Sequence, residues 1–289
     1  MTANSRIPAS IEVAPAQALQ PGTLDGLFPR GTSVYLTDIG TDTIDTHVEA
    51  SRRVRDLGYE PVPHIASRRL TTRATLEERV ARLADEAGVR DVLVIGGGLK
   101  DHAGEFDSTM SVLSTGLFDR HGIRRIGVAG HPEGSPDFDD ATALDALRLK
   151  RNFAERTGAE LRIVTQFGFD ADRFIAWSDD LRAHGLDVPV HLGVAGPATL
   201  KTLLKFAALC GVGNSIEFLR RNALKVTALV VPQSPETVVG PIEAHWRTDE
   251  RTPIAGIHAF AFGGLKKTAD WLYERGSWTE MEAAKVAAE

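Results

Sequence analysis

Most of the residues that could carry chemistry in this chain lie at the ends of short apolar runs. A single carboxylate, Glu12, stands inside the first run, and two imidazoles, His64 and His131, stand at or just after later ones. The amide of Gln166 follows another run. A carboxylic acid in this setting is suited to general acid catalysis, in which it gives its proton to the reacting group. The alternative is that Glu12 is an ordinary, partly solvated carboxylate on a strand.

Other kinds of site would use the same residue types. A metal site would need Glu12 with both histidines, but the chain has no His-x-x-x-His pair, and we expect no metal. A nucleophilic triad needs Ser or Cys on a sharp turn, which the sequence does not show. The run Gly96-Gly97-Gly98 would let a ligand approach the backbone, and its amides could bind phosphate. It lacks the Gly-x-Gly-x-x-Gly spacing of a nucleotide fingerprint.

Composition excludes several classes of protein. The net charge of −6 over 289 residues argues against a nucleic-acid partner or an anionic membrane surface. Cys210 is the single cysteine, so no disulfide can form within the chain, which fits a reducing compartment. It follows an apolar helix, and we expect a buried, inert thiol. No apolar stretch is long enough for a membrane span and no signal pattern opens the chain, so we expect a cytoplasmic enzyme.

Strand and helix patterns alternate along the chain. A continuous apolar run such as 91–95 is typical of a strand buried on both faces of a parallel sheet. One strand per helix predicts a (β/α)8 TIM barrel with extra helices in a single domain, 1–289, with 1–9 and 279–289 as loose termini. A doubly wound sheet is the structural alternative. The predicted strands are 10–13, 33–37, 60–65, 91–95, 125–129, 160–165, 188–193 and 257–262.

A barrel of this kind would bring the polar residues together. In (β/α)8 enzymes the active site lies at the carboxyl ends of the strands. The residues expected there are Glu12, Thr37, His64, Gly96, Gly97, Gly98, His131, Gln166 and Phe262.

Several segments, in the same order along the chain, resemble those of the methylenetetrahydrofolate reductase family. Val164-Thr165-Gln166-Phe167-Gly168-Phe169-Asp170 resembles its Thr-Gln-Phe-Phe-Phe-Asp signature. Ser10-Ile11-Glu12-Val13-Ala14-Pro15 resembles the opening strand that carries its catalytic Glu. The other similar segments are Pro63-His64-Ile65, Gly127 to Gly134, Asp145 to Arg151 and Ile257-His258-Ala259-Phe260.

The resemblance implies a (β/α)8 barrel that reduces 5,10-methylenetetrahydrofolate to 5-methyltetrahydrofolate by hydride transfer through FAD, with NADH or NADPH as donor. It implies that Glu12 is the general acid, and we expect desolvation to raise its pKa towards neutrality. Gln166 and Phe262 would bind the folate. The cofactor would be bound by Thr37, His64, Gly96, Gly97, Gly98, His131, Asp145 and Asn152.

The sequence departs from the family pattern at two of these places. Gly96-Gly97-Gly98 replaces the usual Arg-Gly-Asp, and Asn152 stands where a lysine is common. Two alternatives therefore stay open: a flavin-free reductase with direct hydride transfer from NAD(P)H to folate, and a non-catalytic folate- or flavin-binding module. Whether the chain forms a homo-oligomer also stays open.

Overall fold

Eight parallel strands close into a barrel in the computed structural model, which describes residues 6–135, 137–209 and 232–279, with only the backbone of 232 and 233. The barrel strands are β1 (Ala9–Val13), β2 (Ser33–Leu36), β3 (Glu60–Ala66), β4 (Asp91–Ile95), β5 (Arg125–Gly130), β6 (Glu160–Gly168), β7 (Val190–Ala195) and β10 (Ile254–Phe260). Two short strands outside the barrel are β8 (Ala198–Thr199) and β9 (Pro232–Gln233). The order around the barrel is β1-β10-β7-β6-β5-β4-β3-β2, and β8 pairs with β9 in a separate antiparallel ribbon. The closed sheet confirms the (β/α)8 prediction and excludes the doubly wound alternative, which has open edges.

Helices follow the barrel strands and cover them. They are α1 (Pro15–Ala18), α2 (Ile44–Asp56), α3 (Arg73–Glu86), α4 (Thr109–Leu113), α5 (Leu117–Arg120), α6 (Asp140–Thr157), α7 (Ala171–Ala183), α8 (Leu200–Leu209), α9 (Glu236–Thr248) and α10 (Leu265–Glu274), with a 3₁₀ turn at Ser67–Arg69. Thr43, Thr72, Asp139 and Asp170 begin four of them by accepting a hydrogen bond from a first-turn amide. None of the helices described is long and apolar enough to cross a membrane.

Alternation along β1 decides which side chains enter the barrel. Ile11 and Val13 are buried in the main hydrophobic core, whereas Ser10 and Glu12 point to the opposite face. Parallel pairing sets Ser10 beside His258 and Glu12 beside Phe260. The register therefore places the one carboxylate of β1 inside the barrel, near its carboxyl end.

A charged group fills the other end of the barrel. The Arg162 guanidinium donates to the Tyr35 hydroxyl at 2.8 Å and pairs with Asp91 at 2.8 Å. Arg125 contacts the same carboxylate at 3.3 Å. Burial raises the pKa of Tyr35 to about 12, so its hydroxyl stays protonated. These contacts neutralise the buried charges and close the amino end of the barrel.

The structure corrects several boundaries and details. The last barrel strand is Ile254–Phe260, so Phe262 follows the strand instead of ending it. Residues 7–9 are not loose, because Ile7 is fully buried and its amide donates to Glu243 at 2.9 Å. The predicted helix at 215–223, Cys210 and the tail from 280 lie outside the described residues. Part of the unclear region 225–250 forms α9.

Candidate active site

Two imidazoles flank Glu12 inside the barrel. The Glu12 Oε2 atom lies 3.6 Å from Nε2 of His64 on β3 and 3.6 Å from Nε2 of His258 on β10. Both distances are longer than a normal hydrogen bond, and catalytic contacts are often this loose before a ligand binds. The side chain of Glu12 is 18% exposed, against 7% for His64 and 1% for His258. Glu12 is therefore the member of the group that still reaches solvent.

The neighbours of Glu12 reverse the expected direction of its pKa. Burial raises the pKa of Glu12, but the polar contact with His258 and the charges of His64 and His258 outweigh burial, so the pKa lies below its ordinary value. Burial lowers the pKa of His64, and Glu12 offsets this only in part. The expectation of a raised Glu12 pKa is therefore wrong for the ligand-free protein, because that expectation counted desolvation and left out the imidazoles. At neutral pH Glu12 is a carboxylate and His64 is neutral.

His258 also belongs to the site. It lies in one of the segments that resemble the family, but the sequence predicted no role for it. Its Nδ1 atom lies 2.9 Å from the Ser10 hydroxyl, and its ring packs on Tyr35 with centroids 4.4 Å apart. The signal that could have found it was the period-two alternation of β10, which puts His258 and Phe260 on the same face of the strand.

Gln166 lies at the carboxyl end of β6, next to an irregularity in the pairing with β7 between Val164 and Phe167. Its Oε1 atom accepts a hydrogen bond from the Phe167 amide at 3.1 Å. The carbonyl end of the Gln166 amide is therefore used by the backbone. Its amide nitrogen has no hydrogen-bond partner among the described residues and remains available to a ligand.

Aromatic rings gather beside Gln166. Phe262 stacks on Phe206 of α8 with centroids 4.1 Å apart and an interplanar angle of 11°. Its edge meets Phe167 at 4.8 Å, and Phe260 lies 5.5 Å away. Phe262 and Phe260 are partly exposed. The cluster offers flat apolar surface next to the Gln166 amide, which suits a planar heterocycle.

The glycine run after β4 forms an open loop. A methyl group at Gly96 or Gly98 would have no heavy atom within 4 Å, and Gly97 and Gly98 have positive φ values of 93° and 68°. Within the described chain, the amides of residues 97 to 100 donate no hydrogen bond. Adjacent free amides on a left-handed turn are suited to bind an anion.

Arg69 supplies a cation to this loop. The sequence did not predict this contact. Its Nε donates to the Gly97 carbonyl at 2.9 Å, and its guanidinium packs so closely on Gly40 that a β-carbon there would collide with it. No carboxylate pairs with Arg69 in the part of the chain that the structure describes. The side chain comes from the turn after β3, so only the folded barrel brings it to the loop after β4.

His131 and Lys150 form a second cationic position. Burial lowers the pKa of Lys150 to about 8, and this side chain has no ion pair or hydrogen bond with any described residue. Burial, with the charge of Lys150, lowers the pKa of His131 to about 4, and the ring meets Phe138 edge-on at 5.1 Å. His131 is therefore neutral at pH 7, and an anionic group bound nearby would be stabilised by Lys150.

Thr37, Asp145 and Asn152 are the remaining predicted cofactor residues. Thr37 follows β2, is half-buried, and donates its amide to Val13 at 3.2 Å. Asp145 and Asn152 lie on the outward face of α6, with the Asp145 side chain 70% exposed and paired with Arg148. Both side chains are exposed in the ligand-free protein. Their cofactor role stays a prediction.

Two further features lie away from the strand carboxyl ends. Asp179, His245 and Asp249 are the only described group with metal-ligand spacing, but Arg182 already pairs with both carboxylates, at 3.4 and 2.9 Å. Asp249 follows α9 and leads into β10, at the amino end of the barrel. A groove of about 370 Å³ also lies at that end, between α6 and the starts of β6 and β7. We assign no catalytic role to either.

Comparisons with known proteins match most of this architecture. A family profile described as "Methylenetetrahydrofolate reductase" matches residues 24–223, a range that begins after β1 and ends before β10. The 5,10-methylenetetrahydrofolate reductase of Escherichia coli is 31% identical over 192 residues, which are 65% of this chain and 62% of that protein. That of Pectobacterium carotovorum is 29% identical over 192 residues, 65% of this chain and 61% of that protein.

A yeast relative matches a shorter part. "Methylenetetrahydrofolate reductase 1" of Schizosaccharomyces pombe is 41% identical over 88 residues, 30% of this chain and 14% of that protein. The chain thus spans less than two thirds of the length of these relatives. Because the profile covers well over half of the 289 residues, the resemblance seen in the sequence is confirmed, and the chain belongs to the methylenetetrahydrofolate reductase family.

Proposed function

We propose that this chain is an oxidoreductase of folate metabolism that reduces 5,10-methylenetetrahydrofolate to 5-methyltetrahydrofolate by hydride transfer. The observation that carries the proposal is Glu12, a carboxylate held between two imidazoles at the carboxyl end of β1, at the mouth of a barrel of this family. Relatives named 5,10-methylenetetrahydrofolate reductase support the same substrate.

Glu12 acts as the general acid in this proposal. A proton delivered to a nitrogen of the imidazolidine ring breaks the ring carbon–nitrogen bond and leaves the iminium that accepts hydride. Glu12 is ionised in the ligand-free protein, so it must gain a proton when the substrate binds. A folate ring over the barrel mouth would remove water from the exposed 18% of the side chain, and this added desolvation raises the pKa.

Gln166 and Phe262 bind the heterocycle of the folate in the proposal. The free amide nitrogen of Gln166 can donate to a ring nitrogen or carbonyl. Phe262, supported by Phe206, offers a stacking surface beside it. Both contacts orient the substrate towards Glu12 and exclude water from the site.

The residues of the mouth fit a dinucleotide cofactor, and we propose FAD. The free amides of 97 to 100 with Arg69 form one anion-binding position, and Lys150 beside His131 forms another. These residues would hold the diphosphate, with Thr37 and His64 nearer the ring system. When bound, the flavin supplies hydride to the folate after reduction by NADH or NADPH.

A flavin-free reductase is the second candidate, and the glycine run favours it. Gly96 and Gly98 present no side chain to a flavin ring, and the space above them is open. The same anion-binding positions would then hold the diphosphate of the nicotinamide cofactor, next to the folate. A non-catalytic folate- or flavin-binding module is a third candidate. The presence of Glu12, at the position of the family's catalytic glutamate, argues against it.

The visible absorption spectrum of the purified protein separates the first two candidates. Visible flavin absorption bands, together with folate-dependent oxidation of NADH or NADPH, are expected for the flavoenzyme. A colourless protein that still oxidises the nicotinamide when folate is added identifies the flavin-free reductase. Folate binding without any oxidation in either form would refute the proposed reductase activity.

A further inference from the structure

The two oxygens of the Glu12 carboxylate have different surroundings. Both imidazole contacts, each 3.6 Å long, are made to Oε2. Oε1 lies farther than Oε2 from both Nε2 atoms, and no described residue donates a hydrogen bond to it. Since the side chain keeps 18% of its surface exposed, the carboxylate can be reached by a ligand, and Oε1 is the oxygen less engaged by the imidazoles.

The ring of His258 is fixed on its other side. It is completely buried, its Nδ1 lies 2.9 Å from the Ser10 hydroxyl, and it packs on Tyr35 and Phe260 with centroids 4.4 and 5.0 Å apart. His64 has no comparable anchor: its nearest described ring contact, with Tyr35, is 6.1 Å. Of the two imidazoles beside Glu12, His258 is the one whose orientation is determined by its own contacts.

Ser10 also selects the tautomer of His258. The hydroxyl lies 2.9 Å from Nδ1 and 3.5 Å from the Ile257 carbonyl, and we infer that it donates to Nδ1, because the shorter contact is the stronger one. A neutral imidazole that accepts at Nδ1 carries its proton on Nε2. Nε2 is buried without a hydrogen-bond partner among the described residues, and Oε2 of Glu12, 3.6 Å away, is the acceptor within closest reach.

We propose that His258 is a positioning residue for Glu12: held by Ser10, its Nε2–H fixes Oε2, which leaves Oε1 as the oxygen that carries the transferred proton. The assignment of the transferred proton to Oε1 rests on the proposed reductase function, whereas the contacts among Ser10, His258 and Glu12 do not. The contact also holds the carboxylate in the ionised form until substrate binds.

Other groups around this pair must be considered in any titration. His64 on β3 and Tyr35 on β2 face Glu12 directly. His191 on β7 lies close enough to Arg162 on β6 and to His258 for their charges, after burial, to lower its own pKa. All four stay in place in the variants below, so a difference between variants reports the Ser10–His258–Glu12 contact.

The test is a carbon-13 NMR titration of the Glu12 carboxyl in the ligand-free protein, with the resonance assigned by its loss in Glu12→Gln. His258→Asn removes the Nε2 donor and should raise the Glu12 midpoint by about one pH unit. His258→Gln places an amide N–H near the former Nε2 and should restore much of the shift. His245→Asn is the control, because its Nε2 lies the same 3.6 Å from a carboxylate, Asp179, on the outer helices.

Ser10→Ala gives the second variant and keeps the test informative if His258→Asn does not fold. It removes one oxygen, releases the ring, and should raise the midpoint in the same direction. In the folate assay, kcat should fall by up to about a hundredfold in His258→Asn with KM nearly unchanged, since a misplaced acid slows only the chemical step.

An unchanged Glu12 midpoint in both Ser10→Ala and the His258 variants would overturn the proposal. The titration needs no substrate, so it separates the two claims. A shifted midpoint in a protein that fails to reduce folate would uphold the contact and overturn the assignment of the transferred proton to Oε1.

Discussion

Glu12→Gln isolates proton transfer from every other contribution of this side chain. The amide has nearly the same shape as the carboxylate, and its oxygen can take the place of Oε2 between His64 and His258. The amide nitrogen then occupies the place of Oε1, where it can still donate a hydrogen bond to the substrate but cannot release a proton. The variant should therefore fold and bind folate.

The expected loss follows from the general-acid contribution. That contribution is typically about 10²–10⁴-fold, so folate turnover should fall at least about a hundredfold, which corresponds to about 2.7 kcal/mol in the activation barrier. The folate KM should change little. Wild-type turnover should also fall as pH rises, because the acid works only when protonated, and the residual activity of Glu12→Gln should lose this dependence.

Stopped-flow measurement of the two half-reactions gives the assay. The nicotinamide half-reaction, or nicotinamide binding if no flavin is present, should be nearly unaffected, whereas the folate half-reaction should carry the loss. Glu155→Gln, the same change at a carboxylate 63% exposed on α6, serves as the control. An equal loss in both half-reactions, or a raised KM with kcat unchanged, would refute the assigned role.

Three further predictions follow from other contacts. Arg69→Gln should weaken binding of FAD or NADH by about 10- to 100-fold in isothermal titration calorimetry, since charge-assisted contacts contribute about 1.5–3 kcal/mol. The control is Arg73→Gln, at an exposed arginine that bonds only a carbonyl, and it should not weaken binding. Equal affinity in both variants would contradict the anion site. Asp91→Ala should lower the free energy of unfolding in urea by about 3 kcal/mol, because the buried Arg162 loses its carboxylate; a change below about 1 kcal/mol would contradict this. Burial raises the pKa of Glu243, but the Ile7 amide and Arg275 more than offset this, so the pKa lies below its ordinary value. The stabilising effect of the carboxylate is therefore present above the ordinary pKa and is lost as the pH falls through the folded value. Wild type should lose more stability than Glu243→Gln between about pH 5 and 3, and parallel pH curves would contradict this.

The directions of the pKa shifts show where sequence reasoning reaches its limit. Glu12 could be identified as a candidate acid from its place in an apolar strand. Its pKa could not, because the two imidazoles that lower it come from β3 and β10, about 50 and 250 residues away along the chain. Desolvation can be guessed from local hydrophobicity, whereas the charge of distant neighbours cannot.

The loop after β4 shows the same limit for binding. The glycines and the missing Arg-Gly-Asp were visible in the sequence, and they suggested a loss of positive charge. The folded chain brings Arg69 to Gly97 and leaves a run of amides free. Asp145 and Asn152, chosen by similarity alone, are exposed on α6, and their cofactor role stays a prediction.

The sequence by itself determined the architecture of this protein. Strand and helix periodicity, together with glycine and proline punctuation, specify the βα units locally and favour a barrel over a doubly wound sheet, and the closed sheet agrees. The ordered family segments then pointed to Glu12 within β1. Both conclusions depend on residues that are close together along the chain.

Only the tertiary structure decided the environment of Glu12. Parallel pairing of β1 with β10 puts Ser10 beside His258, and barrel closure brings His64 across to the same carboxylate oxygen. Strand register and barrel closure are cooperative properties of the whole sheet, set by contacts between residues far apart in sequence. For that reason the acid could be found in the sequence, but its partners and its protonation state had to be found in the fold.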